Sequence, residues 1–329
     1  MKVCIIGAGA IGGFIGTRLA ARGQARVSAL ARGATLAALR EHGWRLRSGP
    51  DLLTAPVAQV SDRASDLGPQ DLVIIAVKGP ALASVARGIA PLLDAGTIVL
   101  PAMNGVPWWF CASQPGFAPL HSVDPGGVIA RAIPLPQVVG CVVHASTSAP
   151  EPGLVEHRTG QGLIVGEPAG GHSERVQAVA DLLAAAGFDV THSADVRHDI
   201  WYKLWGNLTM NPVAAITGAS VDRVLADPLV RGFCSAAMVE AAAVGERIGC
   251  SISQSPDDRH AVTAKLGAFK PSMLQDVEAG RPLELDAIVA AVHEIGQRLA
   301  LHTPNIDALL GLARLFGRVR GLYPESPEA

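Results

Sequence analysis

One segment in the second half of the chain carries polar residues that could take part in proton transfer. Lys203, Asn207 and Asn211 are spaced i, i+4 and i+8 among apolar and aromatic residues, so a helix would stack them on one face. A solvated surface or a satisfied buried amide network would produce the same stripe. Yet a lysine flanked by Trp201 and Trp205 is costly to desolvate without a partner or a ligand. The stripe therefore marks Lys203 as a candidate proton donor.

A second polar cluster lies farther along the chain. Ser272 and Asp276 are followed by Glu278, and Glu284 and Asp286 open the next predicted helix. Acidic residues at a helix N-terminus complement its dipole and cap its first turn, which accounts for Asp286. That role does not account for the nearby serine and the other acids. Ser272 and Glu284 therefore remain candidates for the same site as the lysine.

A glycine-rich turn near the N-terminus has the spacing G-x-G-x-x-G. It directly follows the first predicted strand and opens the first predicted helix, where backbone N–H groups can hold a pyrophosphate. Gly7 allows the tight turn, Gly9 removes a side chain where phosphate approaches, and Gly12 lets the helix pack close to the sheet. A lone motif of this kind is weak, but the surrounding strands and helix make a dinucleotide site the better interpretation. Its residues are Gly7, Ala8, Gly9, Ala10, Ile11 and Gly12.

The end of the second predicted strand indicates which dinucleotide is bound. NAD enzymes place an Asp or Glu there to bind the ribose hydroxyls. This strand instead ends in Leu30-Ala31-Arg32, with no acid and with an arginine placed to pair with a 2′-phosphate. Solvated arginines are common at strand ends, so the missing carboxylate carries the argument. The sequence favours NADP(H), with Arg32 as a phosphate ligand.

Two further candidates follow predicted strands of the same sheet. Lys78 comes just after a strand predicted over residues 71–77, and Asn104 follows one predicted over residues 97–101. Open α/β sheets bind ligands at the carboxyl ends of their parallel strands. Either residue alone would more often be a surface group or a turn former. Their position in the sheet makes both candidates for the cofactor site, and Asn104 also for the substrate site.

The elements that must position these residues divide the chain in two. Alternating β-branched runs and helical patterns predict a doubly wound parallel sheet, and runs between residues 138 and 167 predict a small antiparallel extension. After about Ser193 only helical patterns remain. The predicted helices of this part cover residues 195–217, 227–248, 256–268, 283–300 and 304–318. We therefore expect an α/β domain over residues 1–193 and an all-helical domain over residues 194–329.

Composition limits the class of protein and its partners. The chain has 329 residues, 49% of them hydrophobic, and a net charge of −2, which is typical of a two-domain globular protein. No basic stretch favours nucleic acid, and no window of about 18 residues is apolar enough to span a bilayer. Five dispersed cysteines without metal-ligand spacing favour packing roles and a reducing compartment, and predict no metal site. We expect a cytoplasmic protein.

In combination, these motifs resemble the ketopantoate reductase (2-dehydropantoate 2-reductase) family from Gly7 to about Asn305. No single one of these sequence blocks identifies the family, but their combination is specific for it. The shared blocks are the G-x-G-x-x-G turn, the arginine after the second strand, Val77-Lys78, Asn104-Gly105, the Lys-x-x-x-Asn-x-x-x-Asn-Pro run from Lys203 to Pro212, and Ser272-Met-Leu-Gln-Asp276 with Glu284 eight residues later.

The resemblance implies a fold and a set of roles. The fold is a Rossmann domain followed by a helical domain of the 6-phosphogluconate dehydrogenase type, with catalysis in the groove between them. Lys203 would be the general acid that protonates the keto oxygen while NADPH gives hydride to C2, and Glu284 would orient the lysine or the substrate. Asn207 and Ser272 would hold the substrate's hydroxyl and carboxylate. The residues bordering the cleft would be Asn104, Lys78 and Asn211. The sequence itself does not give the oligomeric state, and a homodimer is one candidate assembly.

Departures from the family pattern bear on the substrate. The family commonly has a small side chain where this chain has Trp205-Gly206, and an Asn-Gly pair where it has Val289-Ala290. Trp108-Trp109 is also bulkier than expected. These changes leave the lysine, Asn207, Ser272 and Glu284 in place. We therefore still expect ketone reduction, whereas the ketone could be ketopantoate or another 2-oxo acid.

The leading hypothesis is NADPH-dependent reduction of a 2-oxo acid, with ketopantoate, an intermediate of pantothenate synthesis, as the first candidate. One alternative is a paralogous reductase of another branched or larger 2-oxo acid. A dehydrogenase of a hydroxy acid or phosphorylated polyol is disfavoured because few basic residues accompany Lys203. A non-catalytic NADP(H)-binding sensor would be expected to lose the Lys and Glu pair, and both residues are present.

Overall fold

The computed structural model describes residues 1–22, 24–114 and 116–325, so the last four residues of the predicted second domain lie outside it. Contacts divide the chain into two compact units. Unit 1 comprises Met1–Ser113 and Gly126–Asp199, and unit 2 comprises Gln114–Pro125 and the chain from Ile200 onward. Residues 114–125, which the sequence pattern leaves in the first domain, thus group with the helical unit.

All strands of the described residues belong to unit 1. In chain order they are β1 (Lys2–Ile6), β2 (Arg26–Leu30), β3 (Trp44–Ser48), β4 (Asp51–Ala55), β5 (Val60–Ser61), β6 (Leu72–Ile75), β7 (Ile98–Pro101), β8 (Gly140–Glu151), β9 (Leu154–Gly166) and β10 (Asp189–Ser193).

The first sheet of unit 1 is wholly parallel and has the order β5-β2-β1-β6-β7. Strand β6 is buried along its whole length, as expected for a Val- and Ile-rich strand with both faces covered. The strand order reverses between β1 and β6, so the turns that follow these strands lie at the topological switch point. The predicted doubly wound parallel sheet is confirmed.

The second sheet differs from the predicted extension. It has the order β10-β9-β3-β4, with β8 antiparallel to β9. Strands β8 and β9 are long rather than several and short, because irregular pairing absorbs the residues that look like breaks, with register shifts such as that between His144 and Ser146. Strands β3 and β10 run parallel to β9, so the sheet is mixed.

The helices of unit 1 are α1 (Ala10–Ala21), α2 (Gly33–His42), α3 (Ala64–Leu67), α4 (Gly79–Gly88), α5 (Val128–Ala132) and α6 (Glu174–Ala185). Helix α1 lies between the two sheets, and its glycines allow this. A Cβ at Gly13 would lie 2.5 Å from Val155 Cγ2, and one at Gly16 would lie 2.7 Å from the indole of Trp44. These two glycines therefore serve the contact with the second sheet, while Gly12 faces the first.

Unit 2 is built from helices. Helix α7 (Val196–Thr217) begins in unit 1 and continues into unit 2, where it is followed by α8 (Val221–Ala226), α9 (Pro228–Arg247), α10 (Pro256–Ala264), α11 (Ser272–Glu278), a π-helical turn (Asp286–Ala290), α12 (Ala291–Arg298) and α13 (Pro304–Val319). The sequence pattern missed the short helices α8 and α11. None of the helices in the described ranges combines the length and the hydrophobicity needed to cross a bilayer.

Side chains cap several of these helices. The Asp227 carboxylate accepts from the N–H groups of Leu229 and Val230 at 3.0 and 3.1 Å at the start of α9. Ser255 and Asp258 form a reciprocal capping box on α10. Asp227 begins the helix predicted over residues 227–248, and Ser255 directly precedes the helix predicted over residues 256–268. Ser and Asp favour helix starts because their side chains accept from N–H groups that the first turn leaves without partners.

Residues 114–125 are attached to unit 2 by two side chains of α12. The Glu294 carboxylate accepts from the backbone N–H groups of His121 and Ser122 at 2.7 and 2.8 Å, and from Ser122 Oγ at 2.6 Å. Arg298 donates to the carbonyl oxygens of Phe117 and Pro119 at 2.8 and 2.9 Å. Burial pushes the pKa of Glu294 up, but these hydrogen bonds and Arg298 prevail and the pKa is lowered.

Candidate functional site

The turn between β1 and α1 contains two glycines, Gly7 and Gly12, at positions where packing leaves no room for a side chain. Gly7 has a φ of +88°, and a Cβ there would lie 2.6 Å from Val77 Cγ1. A Cβ at Gly12 would lie 2.1 Å from the carbonyl oxygen of Gly7 and 3.0 Å from Ile5 Cγ2. The first turn of α1 is thereby brought close to the carboxyl ends of β1 and β6, as the motif predicts.

Gly9 is different, because packing does not require a glycine at this position. A Cβ there would meet no protein atom within 4 Å, and the φ of −84° is accessible to any residue. Gly9 is the N-cap of α1 and no side chain caps this helix start. The turn from Gly7 to Gly12, which we call the glycine cradle, therefore has no side chain where the N–H groups of α1 point outward. This arrangement fits the pyrophosphate of a dinucleotide.

Three more predicted residues follow the strands of the first sheet at the same edge. The parallel register aligns Ile6 with Leu30 and with Ile75, so the turns after β1, β2 and β6 leave the sheet side by side. Arg32 is exposed at the N-cap of α2, after β2. Lys78, after β6, is the N-cap of α4, and Asn104 follows β7; both are partly buried. The structure therefore places Arg32, Lys78 and Asn104 at the edge that carries the glycine cradle.

The polar stripe of the sequence lies on α7 in unit 2. Lys203 and Asn207 are partly buried, and Asn211 is 4% exposed. Trp201 and Trp205, each two residues from the lysine, lie on the opposite side of the helix, since successive residues turn by about 100°. The two tryptophans flank the lysine in the sequence, and the helix turns their side chains away from the face that carries it.

The two tryptophans fix the rotation of α7 against α9. Trp205 is 1% exposed and its Nε1 donates to the Met238 carbonyl oxygen at 2.7 Å. Trp201 packs where Gly245 has no side chain, since a Cβ there would lie 2.2 Å from its Nε1. With this face fixed in the core, the face that carries the lysine is turned away from α9.

The other bulky departures are also core residues. Trp108 and Trp109 in unit 1 are 4% and 3% exposed, and a Cβ at Gly140 would lie 3.0 Å from the ring of Trp109. Val289 is fully buried in the π-helical turn. The bulk of these side chains fills the interior, so it gives no argument for a bulkier substrate.

Ser272 and Glu284 lie in the second polar cluster of unit 2. Ser272 is exposed as the first residue of α11, and Glu284 is partly buried two residues before the π-helical turn. Asp276 fixes the connection between them: its carboxylate pairs with Arg281 at 2.9 Å, and its carbonyl oxygen accepts from the Arg281 N–H at 2.8 Å. Asp276 thus holds the loop that leads to Glu284.

Asp286 has a role beyond the helix start. It lies in the first turn of the π-helical segment, where the dipole favours an acid, and it also accepts from the Tyr323 hydroxyl at 2.5 Å. Burial and this carboxylate raise the pKa of Tyr323 to about 12. The interaction attaches the end of the chain after α13 to the segment that begins at Glu284.

One residue beside the stripe escaped the sequence reasoning. Arg259 on α10 reaches Gly206 of α7, where an added Cβ would lie 2.6 Å from its Nε. The only sequence signal was Gly206 itself, a glycine inside a helix next to the candidate lysine. Which residue fills its space could not be predicted, because the contact joins helices that are distant in sequence.

Comparison with known proteins assigns the chain to a family. The profile described as "Ketopantoate reductase PanE/ApbA" matches residues 3–170, and "Ketopantoate reductase PanE/ApbA C terminal" matches residues 195–316. The 2-dehydropantoate 2-reductase of Mesorhizobium japonicum is 41% identical over 98% of this chain and 100% of its own. That of Halobacterium salinarum is 28% identical over 97% and 99%.

Solved structures agree with this assignment. A crystal structure of a Ralstonia solanacearum MolK2 protein superposes with a TM-score of 0.93 at 54% identity, covering 98% of this chain and 99% of the other. The 2-dehydropantoate 2-reductase of Geobacter metallireducens GS-15 superposes with a TM-score of 0.84 at 27% identity, covering 96% and 99%. The glycine cradle, the α7 stripe and these full-length matches together show that the chain belongs to the ketopantoate reductase family of oxidoreductases.

Proposed function

We propose that this protein reduces the keto group of 2-dehydropantoate to the alcohol, giving pantoate for pantothenate synthesis, with NADPH as the reductant. The observation that carries the proposal is the coexistence of two features in one chain of this family. One is a glycine cradle left bare at Gly9, and the other is a helix face that presents Lys203 and Asn207. The 41% sequence identity to the Mesorhizobium japonicum enzyme, which extends over 98% of this chain, supports the choice of substrate.

NADP(H) is the proposed cofactor. When bound, it supplies the hydride of the reduction. The turn from Gly7 to Gly12 would hold its pyrophosphate, and Arg32, exposed where NAD enzymes place an acid, would pair with its 2′-phosphate. Lys78 and Asn104 follow neighbouring strands at the same edge and would contact the cofactor beside them.

Within unit 2, Lys203 is the proposed proton donor to the keto oxygen. An ammonium group that polarises the carbonyl also stabilises the negative charge that develops on its oxygen. Glu284 is proposed to orient the lysine or the substrate. Asn207 and Ser272 would bind the substrate's polar groups, and Asn211 would border them. Asn104 is a further candidate substrate ligand.

The reaction itself tests the proposal. Purified protein should oxidise NADPH, followed by the absorbance of the reduced nicotinamide, when 2-dehydropantoate is supplied. Replacing Lys203→Ala should lower kcat by about 10²- to 10⁴-fold, the usual contribution of a general acid, and leave the dissociation constant of NADPH unchanged.

Lys265→Ala is the matched control, since Lys265 is an exposed lysine near the end of α10. It should leave kcat unchanged. Turnover of another 2-oxo acid but not of 2-dehydropantoate would reject the substrate. NADPH binding without turnover of any 2-oxo acid would instead support a binding protein.

We also propose a cytoplasmic location and a homodimer. The cysteines of the described residues are free and buried, which suits a reducing compartment. Helix α13 exposes an apolar stripe of Leu312, Leu315 and Val319, which are 59%, 60% and 80% exposed, and stripes of this kind often mark protein contacts. A Staphylococcus aureus ketopantoate reductase of the same fold is described as dimeric. The mass in solution, measured by light scattering, tests the dimer.

A further inference from the structure

The guanidinium of Arg259 lies against α7 at Gly206, to one side of the helix face that carries Lys203 and Asn207. A Cβ at Gly206 would stand 2.6 Å from Arg259 Nε and 2.8 Å from Nη2, so only glycine lets the guanidinium approach this closely. Gly206 is three residues after Lys203 and one before Asn207. Because residues i and i+3 are neighbours on a helix surface, with Cβ positions about 5–6 Å apart, the guanidinium packs against a position that neighbours the Cβ of the lysine.

Neighbouring side chains hold Arg259 in this position. Its Cζ lies 4.8 Å from the centroid of the Tyr202 ring, at cation–π distance. The Tyr202 hydroxyl donates to Gln254 Oε1 at 2.8 Å, which orients the ring. The arginine is therefore arranged before any ligand arrives, and arrangement of this kind lowers the entropy cost of binding.

The positive charge of Arg259 is not neutralised by the acids of its own helix. Asp257 pairs with Arg231 at 2.7 Å, and Asp258 accepts from the Ser255 N–H and Oγ at 2.9 and 2.7 Å in the capping box. Arg259 Nε is buried and has no hydrogen-bond partner among the described residues. A buried guanidinium N–H without an acceptor is costly, so this group is suited to receive an anion.

We propose that Arg259 binds the carboxylate of the 2-oxo acid and so makes the site selective for anionic ketones; this rests on the proposed function. In a 2-oxo acid the carboxylate is bonded directly to the keto carbon. A substrate whose keto oxygen meets Lys203 therefore presents its carboxylate to a neighbouring group beside the face of α7 that carries the lysine. Arginine suits this role because its planar donors match a carboxylate and its charge does not titrate.

Substitutions at Arg259 and Gly206 test the proposal with full-length protein and NADPH. Arg259→Met should raise KM for 2-dehydropantoate at least tenfold while KM for NADPH stays the same. It should also reduce the preference of the enzyme for 2-dehydropantoate over its neutral methyl ester. Arg259→Lys should restore part of the preference because it keeps the charge. Gly206→Ala should raise KM in the same direction, since its Cβ displaces the guanidinium.

Arg247→Met is the matched control. It removes one positive charge from an exposed arginine at the end of α9, and should leave KM and the preference for the acid unchanged. Melting temperatures establish that each variant is folded. Calorimetric binding of pantoate adds a readout that does not depend on turnover, and Arg259→Met should weaken it at least tenfold.

The outcomes separate the two proposals. Normal turnover by the wild-type protein, together with an unchanged KM and acid-to-ester preference in Arg259→Met, would reject the role of Arg259 and leave the proposed function standing. A wild-type protein that neither reduces a 2-oxo acid nor binds pantoate would reject both. An equal loss of acid and ester reduction in Arg259→Met would also overturn the proposal, because it would indicate a general structural role.

Discussion

At the scale of single residues, spacing in the sequence was enough to predict that Lys203 and Asn207 share one face of a helix, because a helix converts i, i+4 spacing into one face. Trp201 and Trp205 each lie two residues from the lysine in sequence, but helix geometry places them on the other side of α7, where they pack against α9. The contact of Arg259 with Gly206 could not be predicted, because it depends on how two helices pack.

Arg32 gives a prediction at this scale. Replacing Arg32→Ala should lower the preference for NADPH over NADH by roughly thirtyfold, because a charge-assisted hydrogen bond to the 2′-phosphate contributes about 2 kcal/mol. The side chain is exposed and caps no helix N–H, so the free energy of unfolding should not change. Dissociation constants of both cofactors, measured by fluorescence titration, check the prediction.

NADH provides the internal control, since it lacks the 2′-phosphate and its affinity should be the same in both proteins. Arg40→Ala, at an exposed arginine of α2, should leave both affinities unchanged. An equal loss of affinity for NADH and NADPH in Arg32→Ala would mean that Arg32 does not recognise the phosphate.

At the scale of elements, the strands and helices with strong periodic patterns were predicted to within a few residues. β1, β6, α7 and α9 are examples. The long hairpin of β8 and β9 was not, since its Gly and Pro residues resemble chain breaks when the pairing that tolerates them is unknown. The place of α1 between two sheets was also beyond the pattern, because the motif specifies only the contact with the first sheet, and Gly13 and Gly16 permit the contact with the second.

Two glycines at the start of α1 are expected to differ in role, Gly9 in ligand binding and Gly12 in packing. Gly9→Ala should leave the melting temperature unchanged, because its Cβ meets no protein atom within 4 Å, and it should weaken NADPH binding about tenfold or more. Gly12→Ala should instead destabilise the protein by about 1–3 kcal/mol or more, because its Cβ would lie 2.1 Å from a backbone oxygen. Thermal unfolding and NADPH titration of both variants give the comparison.

Gly232→Ala is the control for adding a methyl group to a helical glycine. It lies in α9 with no atom within 4 Å of the added Cβ, and should be neutral or slightly stabilising. Normal NADPH affinity in Gly9→Ala would argue that the pyrophosphate does not approach this residue.

At the scale of the whole molecule, Glu294 attaches residues 114–125 to unit 2. Glu294→Gln should lower the free energy of unfolding by about 2–3 kcal/mol at neutral pH, since an amide cannot accept from all the N–H and O–H donors that face the carboxylate. The exposed Glu246 of α9 provides the control, and Glu246→Gln should change stability little.

The effect should depend on pH with a definite sign. The folded-state pKa of Glu294 is lowered from its ordinary value of 4.5, so its contribution is fully present above that value and is lost as the pH falls through the folded pKa. The difference in stability between wild type and Glu294→Gln should therefore shrink below about pH 4.5. Denaturant unfolding across this range measures it, and a difference that stays constant would exclude the charge as its source.

The grouping of residues 114–125 with unit 2 has a consequence for modular use of the protein. The chain passes from one unit to the other after Ser113, after Pro125 and after Asp199, so unit 2 is not a continuous stretch of sequence. A fragment that starts at Ile200 would leave Glu294 and Arg298 without the backbone groups they bind. Chimaeras that exchange helical units between relatives should therefore transplant two segments, and a single splice near residue 200 would join a mismatched pair.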